Sequence, residues 1–200
     1  KQNYLYSLIE ISNNVKKINI INSIKKILYG PEDKDEIRKL ISNENTNLIT
    51  ITVTEKGYLY NKISNSLYFN NEVKNDLNDQ ILLTLIGHLS FGLIERYKKN
   101  KKKINIVSCD NLSNNGKILK KVILDFTKRI DPEIAQWIKK EVHFPCTMVD
   151  GIVPNNIKKS KDFDLNFEDN ALVVSEPYKE WYIESKNVHL KDILSNNKIK

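Results

Sequence analysis

Cys109, Asp110 and Asn111 stand side by side in the stretch SCDNLSNNG, Ser108 to Gly116. A thiolate can be a nucleophile, a carboxylate can move or orient a proton, and an amide can hold a developing oxyanion. Further carboxylates end other apolar runs: Glu55 after ITVT, Asp150 after TMV and Glu176 after ALVVS. Each has a plain alternative. A nucleophilic Cys109 needs a base, and no histidine is near it in sequence, so a small core side chain is the better reading. Cys109, Cys146, His143 and Asp110 match no compact zinc spacing, so no metal is expected. His88, beside Gly87, reads as a packing or surface residue, and His189 lies in a polar tail. Asn111 either bridges backbone groups in a turn or offers its amide to a carbonyl oxygen that becomes an alkoxide. The strand-end carboxylates are either solvated caps or the lining of one cleft.

The neighbouring residues say what positions this chemistry. INIV, before SCDN, is a β-branched run that reads as a buried strand, and KILKKVILDF after Gly116 has the spacing of an amphipathic helix. The polar cluster therefore stands at the carboxyl end of a strand, where open α/β sheets bind ligands. LITITV, residues 48–53, carries no charge and reads as a parallel strand buried on both faces, ending in Thr54 and Glu55. YLYSLIEI reads as a strand, and INIINSIKKIL as a short strand or helix. After Gly30, Pro31 suits a first helical position, with Glu32, Asp33, Asp35 and Glu36 at the positive helix end. Leu59 to Asn75 reads as a polar surface excursion. Asp76 to Asn100 reads as one long helix with a stripe of Leu77, Ile81, Leu85, Leu89 and Leu93. Ser113 suits the cap of the next helix. Asp131 and Pro132 suit the cap and first position of the one after. HFPCTMVDGIVP looks extended, ALVVSEPYKEWYIES gives one or two strands, and a polar tail begins at Lys186.

This alternation predicts an α/β fold with a largely parallel sheet. No G-x-G-x-x-G occurs, so the glycine-rich first turn of a dinucleotide-binding fold is not in these residues. The chain has 200 residues, 40% of them hydrophobic, enough to bury a sizeable core. Its net charge of +7 is carried almost wholly by lysine; the only arginines are Arg38, Arg96 and Arg129. A nucleic-acid reader usually employs arginine forks and stacking aromatics, so nucleic acid is not an expected partner. The run Lys98 to Lys103 reads as a solvated helix end. No apolar run approaches a membrane span, and KQNYLYSLIE does not look like a signal peptide. Two cysteines are too few for a disulfide scaffold, which makes a reducing cytoplasm the default. The oligomeric state is open, and a monomer fits.

Four segments together resemble one family. ITVTEKGY (51–58), SCDNLSNNG (108–116), DPEIAQWIKKEVHFPCTMVDGIVP (131–154) and SEPYKEW (175–181) are similar to successive motifs of the polyol-specific long-chain dehydrogenases. That family includes mannitol 2-dehydrogenase and fructuronate reductase. The resemblance implies a Rossmann-type α/β domain, NAD as cofactor, and reversible hydride transfer to the ketone of a sugar or sugar acid, usually without metal. It also implies a helical C-terminal domain that supplies a lysine base, with the small-molecule substrate between the domains.

By position, Asn111 matches the family asparagine that donates to the substrate oxygen. Asp150 matches the aspartate that supports the lysine, Val149 lines the same wall, and Thr54 and Glu55 fall on the cofactor side. FPCTMVD is more similar to the fructuronate reductase branch, which favours D-fructuronate and D-mannonate as the substrate pair. The alternatives are D-mannitol and D-fructose, or a truncated relative that binds without catalysis. Gly151 departs from the family's usual arginine, and Tyr178 and Lys179 replace a common Phe-Arg. Residues 1–185 are thus expected to form a partial Rossmann-type domain facing NAD and substrate. Residues 186–200 are the tail or the start of a linker to a helical domain outside the chain. Alone, the chain is expected neither to bind NAD tightly nor to turn over substrate.

Overall fold

The computed structural model describes residues 2–13, 15–78, 81–151, 153, 160–163, 165–184, 190, 192 and 194. The chain opens with strands β1 (Tyr6–Ser12) and β2 (Val15–Ile21), helix α1 (Lys34–Ser42) and strand β3 (Leu48–Ile51). A 3-10 turn (Glu55–Tyr58) leads to the short strands β4 (Tyr60–Asn61) and β5 (Ser66–Leu67). Helices α2 (Asn71–Leu77) and α3 (Leu85–Lys99) precede strand β6 (Ile104–Ser108). Then come α4 (Asn115–Ile130), α5 (Pro132–Glu141), β7 (Val142–His143), β8 (Thr147–Asp150), β9 (Val173–Ser175) and β10 (Glu180–Ile183). These elements form two compact units, one of Lys1–Ile27 with Val149–Trp181 and one of Leu28–Met148 with Tyr182–Lys200.

In the first unit the strand order is β2-β1-β9. β1 and β2 pair antiparallel from Tyr6↔Ile21 to Ser12↔Val15, and β9 pairs with β1 in parallel. The expected largely parallel arrangement is therefore corrected to a mixed one. The cause is local: the turn at Asn13 (φ 47°) is too short for a crossover, and two strands so joined can only run antiparallel. Ile9 is fully buried. Asp169 fastens the loop before β9 by accepting from the N–H groups of Ser7 (2.6 Å) and Ala171 (2.8 Å) and from the Gln2 amide. Burial pushes the Asp169 carboxyl up, but these donors together hold it below the usual aspartate value.

In the second unit β3, β6 and β7 form a parallel sheet with β6 in the middle. All five residues of β6 are buried, as expected for a central parallel strand covered on both faces. α1 packs on α3, α4 packs on α5, and α3 and α4 also meet. Ile86, Leu93, Ile106, Leu119, Ile123, Phe126 and Ile138 make the centre of this core with no measurable exposure. Each such side chain contributes roughly 1.5–3 kcal/mol relative to leaving it in water. Among them lies Arg96, also fully buried, whose guanidinium donates to the carbonyls of Ile41, Asn43, Thr46, Lys102 and Lys103 at 2.7 to 3.1 Å. It ties the end of α1 to the chain entering β3 and β6. The other arginines lie over rings: Arg38 is 5.2 Å from the Phe91 centroid and Arg129 3.8 Å from that of Phe69.

Several local expectations change. The single helix over Asp76 to Asn100 is two helices, α2 and α3. Asp76, fully buried, accepts from the N–H groups of Leu83 (2.7 Å) and Thr84 (3.0 Å) and from the Thr84 hydroxyl. Thr84 in turn caps α3 by accepting from Gly87 N–H at 2.9 Å. A short carboxylate offers these amides a partner outside the helix, and the helix breaks. Ile81, placed on the buried stripe by spacing, is 53% exposed in that break. The region read as a polar excursion instead folds into the β4–β5 hairpin and α2, with Leu67 and Val73 buried. Pro31 sits in a turn ahead of α1 rather than at its first position. Asn114, not Ser113, occupies the cap position of α4, in a left-handed conformation (φ 59°). Asp131 caps α5 as expected, accepting from Glu133 and Ile134.

Candidate active site

The ladder between β3 and β6 runs to Ile51↔Ser108, and the Cys109 N–H donates to the Ile51 carbonyl at 2.6 Å. Both strands release their chains at the same sheet edge. There β3 delivers Thr54 and Glu55, and β6 delivers Cys109, Asp110 and Asn111. Asp110 closes the turn after β6 by accepting from Leu112 N–H at 2.9 Å. Its carboxylate also accepts from the Tyr58 hydroxyl. Asn111, at the apex between Asp110 and Leu112, is exposed. The turn places Asn111 at the end of a fully buried strand.

Beneath the turn lies Asn115, the first residue of α4 and fully buried. Its amide donates to the carbonyl of Asp110 (3.1 Å) and to that of Thr147 (3.1 Å), while its oxygen accepts from Thr147 N–H (2.9 Å). The Thr147 hydroxyl donates to the Ser108 carbonyl. Gly116 lets the first turn of α4 come this close: a Cβ there would lie 2.3 Å from the Pro145 carbonyl oxygen and 2.5 Å from that of Phe144. Sequence reasoning missed Tyr58, Asn115 and Thr147. The available signal was the Asn-Gly pair opening the helix, an odd choice for a first turn unless both residues are used.

Cys109 is half-buried, and burial pushes its thiol above the ordinary value, with the nearby Asp110 charge adding to the shift. A raised thiol pKa disfavours the thiolate that a nucleophile needs. Cys109 and Cys146 are both free. Tyr58 is fully buried, and burial first, then its bond to Asp110, raise its phenol above the usual tyrosine value.

Thr54 and Glu55 are exposed and line an open depression with Lys56, Leu59, Tyr60 and Lys62. Glu55 pairs with Lys62 across it. Val149 and Asp150 end β8 and belong to the first unit; Val149 is half-buried and Asp150 exposed. Gly151 follows with φ 156°, a conformation that L side chains rarely adopt, and a Cβ there would approach the Tyr178 carbonyl oxygen at 3.4 Å. Glu176 is exposed after β9. His88 is half-buried on α3, where burial lowers its pKa. His189 and much of the tail from Lys186 lie outside the described residues.

Among the described residues no group of three or more His, Cys, Asp and Glu could hold a metal ion, and no helix is long and apolar enough to cross a membrane. The lysine run is largely engaged: Lys99 pairs with Glu95, Lys102 with Glu44 and Lys103 with Glu141, and Lys101 lies 4.2 Å from the Tyr97 ring centroid.

Residues 1–195 match the family model described as the mannitol dehydrogenase Rossmann domain. The mannitol 2-dehydrogenase of Emericella nidulans is 33% identical over 190 residues, which cover 92% of this chain and 38% of that protein. The enzyme of the same name from Neosartorya fischeri is 32% identical over 192 residues, with the same shares. Among solved structures, D-sorbitol dehydrogenase in substrate-free form superposes with a TM-score of 0.83 at 28% identity, covering 93% of this chain and 40% of that one. The ternary complex of Pseudomonas fluorescens mannitol 2-dehydrogenase with NAD and D-mannitol gives 0.80 at 25% identity, covering 95% and 41%. The chain spans well under half the length of these relatives.

Proposed function

The chain belongs to the mannitol dehydrogenase family, and from that premise we propose that its protein is an NAD-dependent oxidoreductase interconverting a polyol and the matching ketose. The observation that carries this reading is the placement of SCDN: Asn111 stands exposed at the carboxyl end of a buried parallel strand, on a turn closed by Asp110. That is where an α/β sheet binds its ligand. The substrate pair favoured by the relatives is D-mannitol and D-fructose, since the similar curated proteins are mannitol 2-dehydrogenases and one similar solved structure holds D-mannitol. The expectation of D-fructuronate rests on FPCTMVD alone, whereas the relatives named above favour the mannitol reading.

NAD, when bound, supplies or accepts the hydride. The depression beside Thr54 and Glu55 opens at the strand ends and joins apolar Leu59 to polar Lys56 and Lys62, which suits a group combining flat rings and phosphates. Thr54 and Glu55 are the residues we assign to the cofactor side. Hydride arrival at a ketone carbon leaves negative charge on its oxygen, and Asn111 donates an amide hydrogen bond to that oxygen. As a neutral donor it binds the oxyanion more strongly than the carbonyl, which favours the transition state. Asp150 is assigned to orient the proton-transfer group and Val149 to line the substrate wall. That group is expected to be a lysine outside these residues. Residues 1–185 are the NAD- and substrate-facing domain in this reading, and the free cysteines fit a reducing cytoplasm.

The test is steady-state kinetics on the intact protein, following NADH with D-fructose, and NAD with D-mannitol, against D-fructuronate as comparison substrate. Turnover of the fructose and mannitol pair is expected. Asn111→Ala should cost about 10²–10³ in kcat, the usual loss for one oxyanion donor, while NADH affinity holds. No turnover of any polyol or ketose, or an Asn111→Ala enzyme with full kcat, overturns the proposal.

A further inference from the structure

We propose that Asn115 is a positioning residue for this reaction, holding the Asn111 turn and the start of β8 in one fixed relation. The catalytic part of the inference rests on the dehydrogenase reading above. Asn115 has no measurable exposure, although it is a polar residue in the first turn of a helix. Asn114, immediately before it, is in a left-handed conformation at the cap position. Every polar atom of the amide is then used. Oδ1 accepts from Gly116 N–H at 2.8 Å and from Thr147 N–H at 2.9 Å. Nδ2 faces the Asp110 carbonyl (3.1 Å) and carboxylate (3.2 Å), and the Thr147 carbonyl (3.1 Å) and hydroxyl (3.2 Å).

Only a side chain with a donor pair and an acceptor on one rigid plane satisfies this set. Aspartate has the shape but no donor. The bonds are directed at two segments far apart in sequence. One carries Asp110, whose main chain leads directly to Asn111; the other is Thr147, which opens β8. Thr147 makes a second link of the same kind through its hydroxyl to Ser108. Turn and strand are thus pinned at both ends of the Ser108–Asp110 segment, with Asn111 the next residue out. An error of about 1 Å in the placement of such a donor is enough to cost roughly 10²-fold in rate.

The test compares Asn115→Asp, which keeps shape and acceptor but loses the donors, with Thr147→Val, which keeps both main-chain bonds to Asn115 and loses the hydroxyl. Both are made in the intact protein. Asn115→Asp is expected to lower kcat on the polyol about 30- to 100-fold, with KM and NADH affinity changed by less than about threefold. Amide exchange at residues 109–112 and 147 should quicken at least about tenfold while α4 and β6 keep their protection. Thr147→Val should give a smaller kcat loss, with quickened exchange confined to the same residues. Unchanged kcat with unchanged local exchange overturns the proposal, as does a uniform rise in exchange across the whole unit. Should Asn115→Asp fail to fold, Thr147→Val decides by the same two readouts. If the wild-type protein turns over no polyol, the dehydrogenase reading fails, and the local exchange pattern still decides whether Asn115 holds the turn.

Discussion

The Tyr58 hydroxyl donates to the Asp110 carboxylate, so the 3-10 turn that follows β3 is fastened to the turn that follows β6. Tyr58 itself is fully buried. Its ring fills the core while its oxygen reaches the candidate site, and the two sheet-edge loops cannot shift independently. Tyr58→Phe keeps the ring and removes the bond. It should cost about 1.5–3 kcal/mol at neutral pH, the range for a hydrogen bond to a charged group.

The same residue predicts a pH dependence. Burial, then the Asp110 bond, raise the folded-state pKa above the ordinary 10.0. A group with a raised folded pKa contributes stability that is fully present below the unfolded pKa and is lost as pH rises past it. Stability of the wild-type protein should therefore fall as pH climbs above about 10, and Tyr58→Phe should make that alkaline limb shallower. Urea denaturation at a series of pH values measures both effects; equal alkaline slopes in the two proteins would contradict this account.

Arg96→Lys is expected to be severe despite preserving the charge. One ammonium cannot reach five carbonyls that converge on a planar fork, so several buried acceptors lose their donor. Each buried acceptor left alone costs about 1–3 kcal/mol, and a total of roughly 3 kcal/mol or more follows. Thermal or chemical denaturation gives the value directly. A variant as stable as the wild type would show that the carbonyls find other partners.

Gly116→Ala tests how close α4 must come to the segment before β8. The added carbon would sit 2.3 Å from the Pro145 oxygen, and the obstructing atoms are backbone, which gives way poorly. A loss of about 1–3 kcal/mol is expected, as for other overpacked contacts. Because Asn115 is adjacent, the displacement should also quicken amide exchange at Thr147, a readout that separates it from general destabilisation.

The break between α2 and α3 gives a graded pair. Thr84→Ala removes one cap and should cost about 0.5–2 kcal/mol. Asp76→Ala should cost more, because it strands the Leu83 and Thr84 N–H groups as well as the Thr84 hydroxyl. If the two melt alike, the carboxylate is not what ends the helix.

These residues also show where sequence reasoning reached and where it stopped. The strand at Ile104, the helices at Asn115 and Pro132, and the Asp131 cap were legible because period and cap chemistry act within a few residues. The break after Leu77 was not. Leu77, Ile81 and Leu85 keep helical spacing straight through it, and the decisive carboxylate acts on amides seven and eight residues away. The mixed sheet was hidden for a similar reason, since apolar alternation does not name a strand's partner. At the site, Asn111 stood out by its place after a buried strand, whereas Asn115 looked like the Asn114 beside it until its burial was known. The family was legible from four long motifs. The branch rests on the seven residues of FPCTMVD, and the similar curated proteins named above, matched along nearly the whole chain, are mannitol 2-dehydrogenases.

Of the 32 basic residues, three are arginine. Arg96 spreads its fork over five carbonyls, and Arg38 and Arg129 lie against aromatic rings. Lysine also reaches rings in this protein, Lys101 over Tyr97 and Lys16 over Phe163, so ring contact alone does not call for arginine. The five-carbonyl fork does: exchanging one cation for the other should be tolerated at most positions and felt most at Arg96.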